Sequence, residues 1–513
     1  MMMTYLKTFE PLVQLLFEAI HLSDEHAYEL INPPHQRVEN DAVDSIIDFY
    51  QRAERLIICG DYDCDGIAST SIAVMLAKKC GIEVGYYIPN RFTEGYGVSI
   101  PTIDRAHSKG YTDVLIIDNG VKSHDVVEHA KNLGMRVAIV DHHIIEAPIE
   151  VDSFLHPDVC DEYADSMCAS GLIYCVAETM GLHDDYLLAL ACLGTIADVM
   201  PLWGKNREIV REGIEAIKRN SFLQFDVIVK PNKYTSYSAK TLAFKMIPKI
   251  NSIGRMADVV NVNTAVSYFT TQDTKAIRSY ASQVEKLNSF RKDKGKEMQV
   301  IAEKKITDDS IQIITDTDFH EGLVGIVANK ISDTTQKPTI ILREYENTYK
   351  GSARSNTHSL QNIFSQVDRK YFEAMGGHDF AFGMTIKKEY YQDFISDINK
   401  VVDALDHVSK TDNVLKVPSD LITKNALQEL ASFEPYGEGF TLPLVEVLLP
   451  QGYNMVDLRG YGYKLVFQDF PIDEAVFFNT VYSRNDYRNF TKMIGRFDIS
   501  NTSKISFNIE SMQ

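Results

Sequence analysis

Four short apolar runs constrain the fold most: residues 56–59 (LIIC), 84–88 (VGYYI), 114–118 (VLIID) and 136–141 (RVAIVD). Each is rich in β-branched residues and shorter than a helix needs, the pattern of strands buried on both faces. Between them, residues 68–80, 99–110 and 124–134 carry helical spacing, and the last two end in Gly110 and Gly134, where a helix C-terminus favours glycine. Strand and helix in alternation predict a doubly wound parallel sheet.

At 513 residues the chain has room for about three or four domains. Hydrophobic residues make up 45% and charged residues 24%, which excludes collagen-like, mucin-like and largely disordered chains. No apolar run approaches the roughly 18 residues of a membrane helix. The opening stretch is interrupted by Lys7, Glu10 and Glu18 and does not read as a signal peptide. The seven cysteines all lie before residue 200 and form no CxxC pair, which predicts free thiols, no zinc ribbon and a reducing, cytoplasmic setting.

Carboxylates gather where the strands end. Asp61, Asp63 and Asp65 follow the first run in DYDCDG, Asp118 follows VLII, and Asp141, His142 and His143 follow RVAIV. Asp198, in GTIADVMPL, closes an apolar helix. An EF-hand loop would need a Glu at its twelfth position and a helix in front; here stand Ile72 and a strand. A lone Asp at a strand end is ordinarily a cap or turn residue. Several at corresponding ends of parallel strands instead meet in one crevice. Carboxylates about 4 Å apart repel by about 4 kcal/mol at an effective dielectric near 20, so protons or cations must compensate. Aspartates with a histidine and no thiolate pair suit Mn²⁺ or Mg²⁺, and two such ions form the usual apparatus for phosphoester hydrolysis.

DYDCDG (61–66), IDNG (117–120), DHH (141–143) and GTIADVMPL (194–202) resemble the four motifs of the DHH phosphoesterase superfamily. IPNRFTEGYG (88–97), NREIVREGI (206–214), PKINSIGRM (248–256), FHEGLVGIVANKI (319–331), GSARS (351–355) and GGH (376–378) narrow the resemblance to the RecJ single-strand-specific exonucleases. The resemblance implies an α/β fold: a parallel-sheet DHH domain, a long connecting helix, a smaller α/β DHH-associated domain and a C-terminal OB-like barrel. With the pattern of elements it places an N-terminal helical segment at 1–45, the catalytic domain at 46–265, the connecting helix at 266–305, the associated domain at 306–408 and the barrel at 416–513.

It also implies two divalent ions, Mn²⁺ or Mg²⁺, held by Asp61, Asp63, Asp65, Asp118, His142 and Asp198. Asp118 would bridge them, and His143 would be either a further ligand or a contact to the scissile phosphate. Asp118, His142 and His143 carry the catalysis. Arg91, Tyr96, Asn251, Arg255, Ser352, Arg354, Ser355, Gly377 and His378 match substrate-gripping positions; an Arg fork takes phosphate oxygens and a ring stacks on any base. The implied activity is metal-dependent hydrolysis of single-stranded DNA from its 5′ end to 5′-mononucleotides, in recombination and repair. The implied partner is single-stranded DNA, with room for a single-strand-binding protein or a helicase, for a monomeric chain away from membranes. A phosphodiesterase for short oligonucleotides or cyclic dinucleotides and a non-catalytic replication scaffold are the rival readings.

Two positions depart from the family pattern. Cys59 stands where some members carry a metal-binding His, and Phe440 stands where an Asn is usual. The net charge of −19 argues against simple coating of nucleic acid. Residues 230–297, however, hold thirteen basic against five acidic side chains, which predicts a local basic lane.

Overall fold

The computed structural model describes residues 5–95, 97–232, 235–405, 413–458, 462–478, 489–499 and 505–513. The chain folds as two compact units: Met1–Ile253 with Ala257–Ser282 and Asn413–Gln513, and Gly254–Met256 with Gln283–Asp412.

In the first unit the four apolar runs become β1 (Arg55–Cys59), β2 (Glu83–Tyr87), β3 (Asp113–Ile117) and β4 (Arg136–Val140), joined by a short β5 (Ser153–Leu155). All pair in parallel, in the order β2-β1-β3-β4-β5. β3 is buried at every position, as the unbroken apolar run requires. The helices preceding and crossing this sheet are α1 (Pro11–Ala19), α2 (Asp24–Ile31), α3 (Asp41–Arg52), α4 (Cys64–Lys79), α5 (Ile100–Ser108) and α6 (His124–Asn132). After β5 come α7 (Ala169–Thr179), α8 (Asp185–Ala197) and α9 (Gly204–Asn220). α4 starts four residues before the spacing predicts, because Asp63 caps it by accepting from the Gly66 amide at 3.0 Å.

The predicted connecting helix is two helices, Asn263–Thr270 and Thr274–Glu303. Thr271 is extended, and Asp273 restarts the helix by accepting from the Lys275 amide at 2.9 Å. A break of three polar residues is invisible to apolar periodicity.

The second unit carries a mixed sheet in the order β6 (Gln312–Asp316), β7 (Thr339–Glu344), β8 (Thr348–Arg354), β10 (Ala381–Lys387), β9 (Phe372–His378). Ile340 and Leu342 enter one core with Phe382, Phe394 and Ile398, and Ile341 enters another with Val327 and Ile331.

The C-terminal run differs from expectation. All five predicted strands form, but they belong to a seven-stranded sheet: β11 (Leu415–Lys416), β12 (Val445–Leu448), β13 (Tyr453–Asp457), β14 (Tyr463–Phe467), β15 (Glu474–Phe477), β16 (Lys492–Asp498) and β17 (Ser506–Met512). Their order is β11-β12-β16-β17-β15-β14-β13, and no pairing joins the two edges among the described residues. β12 takes the edge of β16 through which a five-stranded barrel would close. This sheet shares a core with the N-terminal helices, read from sequence as a separate segment. Leu12, Leu16 and Phe17 pack with Val445, Phe440 and Phe507. Phe440 is fully buried, 5.6 Å from the Phe17 ring and 4.8 Å from Trp203, so the departure from Asn fills a core position.

All seven cysteines are free thiols. No helix among the described residues is long and apolar enough to cross a membrane.

Candidate metal centre

The parallel strands of the first unit deliver their acids to one place. Asp61 lies two residues past β1, and Asp65 is in the first turn of α4 rather than at the strand end. Gly66 is obligatory, because a Cβ there would stand 2.5 Å from the Asp61 carbonyl oxygen. Asp118 follows β3 with φ of 61°, a left-handed conformation uncommon outside glycine. Asp198 caps the C-terminus of α8. The twelfth position of the rejected calcium loop, Ile72, is buried inside α4.

Three overlapping sets of possible ligand atoms result: Asp61, Asp63 and Asp118; Asp65, His142 and Asp198; and Asp118, His142 and His143, each within 4.8 Å. His142 Nε2 lies 3.1 Å from Asp118 Oδ1 and 3.4 Å from Asp198 Oδ2. Burial and then mutual repulsion hold the Asp61, Asp63 and Asp118 carboxyls above their ordinary range. The same causes push Asp198 to about 8. Burial lowers His142, favouring the neutral imidazole a metal requires. Asp61 Oδ1 and Asp198 Oδ2 are buried without a hydrogen-bond partner among the described residues. Overlapping oxygen-rich sets, neutral imidazole and unsatisfied carboxylate oxygens fit a pair of hard divalent cations. Cys59 is not part of this cluster. It is strand interior, and burial pushes its thiol up to about 12.

Two supports escaped the sequence reading. Asp141 is fully buried and spends both oxygens on orientation: Oδ2 accepts from the Val121 amide, and Oδ1 accepts from the His142 and His143 amides and bonds His143 Nδ1 at 2.8 Å. Burial opposes the imidazolium of His143, but the bond to Asp141 outweighs it and raises the pKa. Asp65 is anchored by the Ala169 and Ser170 amides, at 3.0 and 3.1 Å, in the first turn of α7. Backbone donors leave no mark in a sequence.

The substrate residues divide between the units. In the first, the Arg91 guanidinium lies 4.8 Å from the Tyr62 ring centroid. Asn251 commits its side-chain oxygen to the Cys64 amide at 2.8 Å, which braces the DYDCDG loop. Tyr96 lies outside the described residues. In the second, Arg255 ends the helix Ile247–Arg255. Ser352 and Arg354 point the same way along β8, and cross-strand register sets His378, Ala381 and Arg354 side by side. Burial lowers the Arg354 pKa, and one of its terminal nitrogens approaches Gly325, at the start of helix Val324–Thr335, closely enough that a Cβ there would stand 2.8 Å away. Gly377 has φ of 154°, and a Cβ would stand 2.3 Å from the Ala381 carbonyl oxygen. Ser355 is buried, and its hydroxyl accepts from the His358 amide at 2.9 Å, the geometry of a turn former. The basic window is partly neutralised: Lys240 pairs with Asp498, and Lys294 lies 3.6 Å from Glu297. Lys233 lies outside the described residues.

Comparison with known proteins agrees with this geometry. Residues 55–195 match the DHH family N-terminal domain, and residues 308–404 match the DHHA1 domain. The single-stranded-DNA-specific exonuclease RecJ of Haemophilus influenzae is 29% identical over 503 residues, covering 88% of this chain and 85% of the relative. Crystal structures of Thermus thermophilus RecJ in complex with Mn²⁺ and with Mg²⁺ share the fold, with TM-scores of 0.81 and 0.76 at 20% identity. They cover 100% of this chain and 77% and 76% of theirs. The chain thus carries the DHH and DHHA1 domains in order and is RecJ-like along most of its length.

Proposed function

We propose that this chain is a metal-dependent exonuclease that degrades single-stranded DNA from the 5′ end to 5′-mononucleotides, in recombination and repair. The observation that carries the reading is the overlap of three ligand sets on Asp118 and His142, in a chain similar to a protein named a single-stranded-DNA-specific exonuclease.

Asp61, Asp63, Asp65, Asp118, His142 and Asp198 would hold two divalent ions, with Asp118 shared between sets. When bound, the ions supply an activated water and neutralise charge on the phosphate. The chain's own residues do the rest. Asp141 fixes the His143 ring through Nδ1, and Nε2 would meet a phosphate oxygen. Charge on that imidazole is favoured by Asp141, which suits contact with an anion. Arg91 and Arg354 serve as phosphate forks, Ser352, Arg255 and His378 as further donors, and Tyr96 as the stacking ring. Gly377 keeps the β9 backbone bare so that a strand can approach. Asn251 and Ser355 act by bracing loops. We assign catalysis to residues 46–265, strand binding to 306–408 and an OB-like role to 416–513 in a chain acting as a monomer, with a single-strand-binding protein or a helicase as the partner class.

The test is digestion of 5′- and 3′-labelled single strands with Mn²⁺ and with chelator. A 5′ label released first, as mononucleotide, and only with metal, is the expected result. Release from the 3′ label first overturns the polarity. Turnover of dinucleotides alone favours the short-oligonucleotide enzyme, and no turnover favours a scaffold.

A further inference from the structure

Neither capping nor metal binding accounts for Tyr62 in DYDCDG. Tyr62 stands between two cluster acids, half-buried, and the Arg91 guanidinium lies over its ring at 4.8 Å from the centroid. The Phe92 ring is the second neighbour of that guanidinium, at 5.7 Å. Arg91 is near enough to the cluster for its charge to favour the Asp61 carboxylate. Yet Asp61 Oδ1 is buried with no hydrogen-bond partner among the described residues. A long, flexible cation is therefore within electrostatic reach of Asp61, whose Oδ1 it does not hydrogen-bond. A guanidinium that did close would form a bidentate pair with the carboxylate and displace a metal ion from it.

We propose that Tyr62 is a positioning residue: its ring is a shelf that holds the Arg91 guanidinium beside the carboxylate cluster rather than in it, which keeps the acids for cations and the guanidinium for phosphate. The phosphate half of this statement rests on the reading under Proposed function; the metal half does not. The ring face attracts the cation, and the Phe92 ring adds a second, more distant attraction. An aliphatic residue at 62 offers no such attraction, and Arg91 then swings to Asp61.

The experiment is Mn²⁺ titration of the full chain by calorimetry, without DNA, for wild type, Tyr62→Phe, Tyr62→Leu and Tyr62→Leu/Arg91→Ala. Tyr62→Phe keeps the ring and is expected within about 2-fold of wild type, whereas Tyr62→Leu binds Mn²⁺ roughly 3- to 10-fold more weakly. Removing Arg91 as well restores the affinity, because the competing cation is gone. Wild-type affinity in Tyr62→Leu overturns the proposal. So does a double variant as weak as Tyr62→Leu, since that is the signature of a loop damaged by the substitution. A second arm measures binding of a 5′-phosphorylated and a 5′-hydroxyl strand with phosphorothioate linkages, in Mn²⁺. Tyr62→Leu is expected to lose affinity for both strands while keeping any preference for the phosphorylated end, which belongs to Arg354; wild-type affinity for both strands overturns the phosphate half of the proposal. If wild type has no such preference while the metal arm behaves as stated, the terminal-phosphate reading falls and the shelf stands.

Discussion

Replacing Asp118 with Asn is predicted to stabilise the metal-free protein while destroying its metal site. The ligand atoms of Asp61, Asp63 and Asp118 lie within 4.8 Å of one another. At that separation two full charges repel by about 3.5 kcal/mol at an effective dielectric of about 20, so Asp118 faces two such terms when all three are ionised. Partial protonation relieves much of this, which is why burial and repulsion raise its pKa. Asn preserves the local structure: it tolerates the left-handed φ of 61°, and its oxygen can still meet His142 Nε2, 3.1 Å from Asp118 Oδ1. A net gain of about 2 kcal/mol at pH 8 in chelator is the expectation, after the weaker neutral hydrogen bond is set against the repulsion.

The pH dependence follows from the direction of the shifts. A carboxyl whose folded pKa is raised binds its proton more tightly folded than unfolded. Its stabilising contribution is complete below about pH 4 and is lost as pH rises through the folded value, which for Asp198 is about 8. Metal-free wild type therefore weakens between about pH 4 and pH 8, and the gain from Asn appears at pH 8 and nearly vanishes at pH 5. Mn²⁺ at a hundred times its dissociation constant adds about 2.7 kcal/mol to wild type and little to the variant. Thermal unfolding at pH 5 and pH 8, with chelator and with Mn²⁺, reads all four conditions. A variant no more stable than wild type at pH 8 in chelator, or equally favoured at both pH values, refutes the reasoning.

Gly194→Ala would bring a Cβ to 2.0 Å from Ser170 Oγ and 2.4 Å from Asp65 Oδ1; the expected result is about 1–3 kcal/mol of destabilisation with weakened Mn²⁺ binding, and partial recovery in Ser170→Gly/Gly194→Ala, measured by denaturation and metal titration. Asp141→Asn removes the charge that raises His143, so the His143 ring should titrate at lower pH by NMR; an unchanged midpoint contradicts the orienting role. Arg354→Ala should cost more turnover on 5′-phosphorylated than on 5′-hydroxyl strands, and equal losses speak against a terminal-phosphate pocket. Phe440→Ala leaves a cavity between the N-terminal helices and the C-terminal sheet and should cost about 3–5 kcal/mol in chemical denaturation; less than 1 kcal/mol would show the shared core to be loosely packed.

The parallel sheet was legible because a strand buried on both faces must be continuously apolar, and runs such as VLII satisfy this without reference to the rest of the chain. The acids at the strand ends were legible for the same reason: chain direction in a parallel sheet dictates that residues following adjacent strands meet. Periodicity did not disclose the polar break at residues 271–273, because three residues are too few to alter an apolar repeat. It named five C-terminal strands but not their closure, because strand order depends on which edge is already occupied, and β12, just upstream of the five, occupies one. Sequence alone thus determined the sheet, the direction of its strands and the chemical class of the groups at their ends. Tertiary structure alone decided which carboxylate oxygens stay available to a cation and which are spent on hydrogen bonds. Asp141 and Asp61 are the same residue type at equivalent strand ends. The first is saturated by amides and an imidazole, and the second keeps one buried oxygen without a hydrogen-bond partner among the described residues, because hydrogen-bond supply is a property of the surrounding fold and not of the residue.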